Sequence, residues 1–174
     1  MMLLVALFTV VSASAETVDE SKITFLTAIR STGTQAFNTG YTHKANTRVE
    51  LDCEVTKNSH RNWEALFGGR LGNFTKNAFC FFSRHKNNTN APEDNPCFNR
   101  TGEEKNGEGF VYDQRIKLVC EGQTAKWYKY SNLNTVVGSV TTTGTADDGK
   151  TPMFLFNLNT SGTTGAHSQT HRPR

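Results

Sequence analysis

Between Arg48 and Val55 the chain alternates strictly, with Val49, Leu51, Cys53 and Val55 on one side and Glu50, Asp52 and Glu54 on the other. Successive strand residues point to opposite faces, so this period of two describes a half-buried strand and fits no helix. The same alternation recurs: Ile116, Leu118 and Cys120 oppose Lys117 and Val119, and a turn at Glu121-Gly122-Gln123 leads into a strand from Ala125 to Tyr130. Further strands are predicted over Ala65 to Phe67, Ala78 to Ser83, Val136 to Thr142 and Met153 to Leu158, with a turn at Gly68-Gly69-Arg70-Leu71-Gly72. One short helix is expected, around Ser21 to Ile29. Many short strands with closely spaced Gly, Asn and Thr punctuation predict an all-β, two-sheet antiparallel sandwich.

The 174 residues amount to one domain. Met1 to Val11 is apolar and uncharged, and Ser12-Ala13-Ser14-Ala15 offers the small residues that signal peptidase cuts, so residues 1–15 are expected to be a signal peptide. That run is shorter than the roughly 20 apolar residues of a spanning helix, and no later stretch approaches this length. The expected product is secreted, extracellular or at the cell surface, with a domain over residues 16–160. The polar stretch His85 to Pro96 is expected to be a long loop, and Ser161 to Arg174 a disordered tail. The net charge of +3 is spread without a basic stripe, which argues against a nucleic-acid partner.

The ordered series Phe25-Leu26-x-x-Ile29, Ser31-Thr32-Gly33-Thr34-Gln35-Ala36-Phe37-Asn38-Thr39-Gly40-Tyr41 and Asn46-Thr47-Arg48-Val49-Glu50-Leu51-Asp52 opens a resemblance. It continues through Leu66-Phe67-Gly68-Gly69-Arg70, Asn77-Ala78-Phe79 with Phe81-Phe82, and Phe154-Leu155-Phe156-Asn157-Leu158-Asn159. This order and spacing resembles the concanavalin A-like (laminin-G-like) jelly-roll domains over most of residues 24–160. The resemblance implies two apposed antiparallel sheets, usually without catalysis, and binding of sugar or matrix as the commonest role. Members of that family carry a further strand or two after the last matched segment. The polar run Gly162 to Arg174 does not read as one, so the expectation is either a fold without that edge strand or a truncated or frameshifted sequence, each leaving a neighbouring strand exposed.

Three sets of residues could carry function. Glu50, Asp52 and Glu54 form E-x-D-x-E, which is also the catalytic signature of laminarinase- and lichenase-type glucanases of the same architecture. Strand alternation aims all three carboxyls at one sheet face. A retaining glycosidase needs carboxyls about 5–5.5 Å apart, while Glu50 and Glu54 lie roughly 13 Å apart at the backbone, and a charged solvent face is the plainer reading. Trp63, Trp127, Tyr128 and Tyr130 are the aromatics that could stack on sugar rings, although alternation exposes only one of the sets Trp127 and Tyr128 with Tyr130. Asp94, Asp147 and Asp148 are the loop carboxylates available to calcium, and no spacing of His43, His60, His85, His167 and His171 suggests a catalytic metal.

An even cysteine count in an exported chain predicts two disulfides, with Cys53 to Cys120 and Cys80 to Cys97 preferred from strand faces and the loop between the second pair. Asn73, Asn87, Asn99 and Asn159 head sequons that a eukaryotic host could glycosylate. The function expected from all this is a secreted, non-catalytic carbohydrate-binding module acting on a glycan or a cell-surface glycoprotein, without a cofactor. The alternatives are an adhesive or structural module with a protein partner at an uncovered sheet edge, and a glucanase using Glu50 and Glu54.

Overall fold

In the computed structural model the described residues are 6–7, 31, 36–56, 64–72, 76–84, 95–160 and 163–164. They form strands and connections with no helix; the stretch Ser21 to Ile29 lies outside them. No helix among them is long and apolar enough to cross a membrane. In chain order the strands are β1 (Ala6–Leu7), β2 (Phe37–Asn38), β3 (Arg48–Glu54), β4 (Glu64–Arg70), β5 (Phe79–Arg84), β6 (Cys97–Arg100) and β7 (Glu103–Asn106). These are followed by β8 (Arg115–Glu121), β9 (Thr124–Lys129), β10 (Asn132–Thr141), β11 (Phe154–Leu155), β12 (Asn159–Thr160) and β13 (Thr163–Thr164).

One sheet runs β1-β3-β8-β9-β10, all neighbours antiparallel. The other runs β13-β12-β4-β5-β6-β7, with β11 bridging β2 and β4, and is antiparallel except where β12 lies parallel to β4. The apolar sides of both sheets meet in a single core. Val49, Leu51, Ile116, Leu118 and Trp127 come from the first sheet and Phe67, Phe79, Phe81 and Phe98 from the second. The Phe81 and Trp127 rings sit edge to face 6.0 Å apart across that core. The expected two-sheet sandwich therefore stands. The hairpin between β8 and β9 is set by Gly122, whose φ of 55° suits the tight two-residue connection.

Four expectations need correction. The stretch Gly68-Gly69-Arg70 is not a turn but the continuation of β4. A Cβ on Gly68 would stand 2.3 Å from that of Cys80 on β5, so the glycine is there for close strand approach. The segment Met153 to Leu158 is not one strand, because Phe156 takes a φ of 61° and the chain turns back between β11 and β12. The region expected to be a disordered tail contributes β13, paired with β12, at Thr163–Thr164; its other residues lie outside those described. Within the expected leader, Ala6–Leu7 pairs with β3.

The fourth concerns the disulfides: all four cysteines are free and buried. Cys53 and Cys120 share the inner face of adjacent strands, but the register sets Cys53 opposite Ile116 and Cys120 opposite Val49. The two are four residues out of step, about 13 Å, where a bridge tolerates about 7 Å at most. Cys80 faces Asn99 and Cys97 faces Phe82, which makes the second pair diagonal neighbours about 7–8 Å apart, again beyond the usual span. Cys97 instead places its Sγ 3.0 Å from Asn99 Oδ1. Burial pushes the Cys53 and Cys80 thiols up to about 12 and those of Cys97 and Cys120 well above the ordinary range, so the folded thiols stay protonated and inert.

Candidate functional site: the solvent face of the first sheet

With Val49, Leu51 and Cys53 committed to the core, Glu50, Asp52 and Glu54 must project from the outer face of β3. The register then places partners beside them: Glu50 with Val119 and Lys126, Asp52 with Lys117 and Tyr128, and Glu54 with Arg115. The same parity sends Trp127 inward and Tyr128 and Tyr130 outward.

Ion pairs tie this face together. Arg115 donates Nε to Asp52 Oδ1 at 2.7 Å and closes a second bond to Oδ2, so the guanidinium grips the carboxylate at both oxygens. The same guanidinium carbon lies 3.5 Å from the centroid of the Tyr130 ring. Lys117 Nζ reaches Glu50 Oε2 at 2.6 Å, and Arg48 bridges Glu50 to Glu121, at 2.7 Å from the latter. Lys117 first and Arg48 second hold the Glu50 carboxyl below its usual range, so it is ionised at neutral pH. Glu54 enters no hydrogen bond or ion pair among the described residues.

What results is a polar floor with an aromatic side. Tyr130 is 41 % exposed, Tyr128 is half-buried beside it, and Val136 of β10 faces Tyr128 across the ladder at 46 % exposure. Alternate strand residues stand about 7 Å apart, a spacing at which two rings can underlie one sugar or two adjoining ones. Flanking carboxylates, guanidinium and ammonium groups supply donors and acceptors for hydroxyls.

The other candidates fall elsewhere. Trp127 is fully buried, with Nε1 donating to Gly109 O at 3.0 Å, and is corrected from a stacking residue to a core residue. Trp63 and Asp94 lie outside the described residues, as do Asn73 and Asn87. Asn99 and Asn159 are buried, and Asn159 Nδ2 donates to Pro152 O at 2.8 Å, so neither has room for a glycan in the folded chain. Asp147 receives Thr101 Oγ1 at 2.8 and 2.9 Å and Asn77 Nδ2 at 3.2 Å, while Asp148 receives Ala45 N at 2.9 Å and Lys44 Nζ at 3.2 Å. Both acids tie loops together, and among the described residues no three His, Cys, Asp or Glu cluster closely enough to hold a metal. No protein-family model, curated protein or solved structure matches the chain.

Arg115 is the residue that sequence reasoning missed. Its parity with Lys117 put it on the solvent face, but its position over Tyr130 depends on a register that only the folded chain supplies.

Proposed function

We propose that the chain is a secreted, non-catalytic glycan-binding module of the concanavalin A-like jelly-roll kind, with its ligand on the solvent face of the first sheet. The observation that carries this reading is the pair Tyr128 and Tyr130, set outward next to the Arg115–Asp52 and Lys117–Glu50 pairs. The apolar face of a pyranose covers the tyrosines and its hydroxyls meet the charged groups, the usual division of labour at a sugar site. Arg115 covers one face of the Tyr130 ring, and the residue remains exposed.

Binding fits this face better than hydrolysis does. A glycosidase of the glucanase type needs one carboxyl held protonated, with its pKa raised. Glu50 is shifted in the opposite sense and Asp52 is held by a guanidinium. A glycan array followed by titration calorimetry tests the reading: Tyr130→Ala should weaken a bound glycan by about tenfold or more, roughly 1.4 kcal/mol. An array with no retained glycan, or an unchanged affinity in that variant, would overturn it. Release of reducing sugar from a glucan, lost in Glu50→Gln, would instead favour the hydrolase.

A further inference from the structure

The structure assigns a second interaction surface, the outer edge of β3, as an acceptor for an added strand whose occupant is an extended segment of a second protein with apolar and basic residues at alternate positions. On its inner side β3 pairs with β8 along all seven residues, from Arg48 opposite Glu121 to Glu54 opposite Arg115. On its outer side, among the described residues, only Leu51 and Glu50 have partners, and these are Ala6 and Leu7 of β1. The chain thus already seats an antiparallel, apolar segment of its own on this edge. That segment belongs to the residues 1–15 expected to leave on export, after which no described residue pairs with this edge and its backbone donors and acceptors can take an added strand.

The core is unfinished on the same side. A cavity of about 10 Å³, lined by Val49 and Leu51 of β3 and by Phe67, Met153 and Leu155 of the facing sheet, opens between β3 and β11. It is apolar and therefore dry. The inward side chains of a strand laid beside β3 would come to lie over it, removing valine- or leucine-sized surface from water. Charge selects what faces outward. The solvent side of the edge carries three acids, Glu50, Asp52 and Glu54, and one cation, Arg48, which shares Glu50 with Lys117; Lys117 and Arg115 lie on the far side, on β8. Lysines or arginines of an incoming strand would stand directly across from the acids, while an acidic segment would be repelled.

The test uses the chain as secreted, its N-terminus read by mass spectrometry, and synthetic peptides of the same length as β3. One peptide alternates lysine with valine, one alternates glutamate with valine, and a third is the lysine peptide with alternate backbone nitrogens methylated. The lysine peptide should bind at least tenfold more tightly than the glutamate peptide, shift the backbone amide resonances of residues 48–54, and lose binding when methylated. Glu54→Lys, which breaks no ion pair, should reduce the preference at least threefold. A variant that retains residues 1–15 because Ala13 and Ala15 are replaced by bulky residues should bind more weakly, its edge being filled. Equal affinity for the two charged peptides, shifts centred on Tyr128 and Tyr130, or binding indifferent to the retained segment would overturn the assignment.

Discussion

Phe79 has two cationic or titratable neighbours, and both are shut away from water. The Arg100 guanidinium carbon lies 4.5 Å from the centre of the ring and the His43 imidazole 5.5 Å from it, each side chain wholly buried. Nε and both Nη atoms of Arg100, and both ring nitrogens of His43, have no hydrogen-bond partner among the described residues. A buried charge without a full set of partners costs several kcal/mol, which the ring and the field of Asp147 offset only in part. Arg100→Met should therefore raise stability by about 1–3 kcal/mol in urea unfolding, and a loss of that size would show that the guanidinium is needed. His43 carries a pH dependence. Burial first, and the Arg100 charge second, lower its pKa from 6.5 to about 4. The unfolded imidazole accordingly takes a proton at a pH where the folded one does not. Stability is whole above about 6.5 and falls as the pH drops towards 4, by about 3 kcal/mol over that window. Urea midpoints measured across it should fall steeply in the parent chain and much less in His43→Leu.

At the scale of single strands, β10 rests against Trp127 so closely that a Cβ on Gly138 would stand 2.5 Å from the indole. Gly138→Ala should destabilise by about 1–3 kcal/mol, since the ring is held by its bond to Gly109 and by Phe81 and Phe110. The strands also decide the cysteine chemistry. All four thiols should resist alkylation in the native chain and react in denaturant without prior reduction, and fewer than four reactive thiols would restore a bridge. Strands β3 and β8 were legible in the sequence because each has one wet and one dry face, which writes the alternation directly. Strands β4, β5 and β6 are buried on both faces, with Ala65, Cys80, Phe82 and Cys97 packed behind the second sheet, so Cys97–Arg100 carries no period and went unread. The disulfide expectation failed for a related reason: parity shows that Cys53 and Cys120 face inward, but says nothing of the four-residue offset between them. The same limit held at the site, where the outward tyrosines followed from alternation and the Arg115 cover of Tyr130 did not.

Taken whole, the two sheets share one continuous core and should melt together. With Trp63→Phe leaving Trp127 as the sole indole, its fluorescence and the far-ultraviolet dichroism should trace one urea transition with the same midpoint; separate midpoints would mean that the sheets unfold independently. The parallel pairing of β12 with β4 has a temporal consequence. Gly69 and Asn159 are ladder partners about ninety residues apart, whereas β4, β5 and β6 each meet the next strand within a few tens of residues. At about 5–20 residues per second of synthesis, the far edge of β4 waits roughly 5–20 s for its partner. The pairings of β4 with β11 and β12 therefore form late, and a nascent chain stalled before Phe154 would present β4 to any neighbour able to complete it.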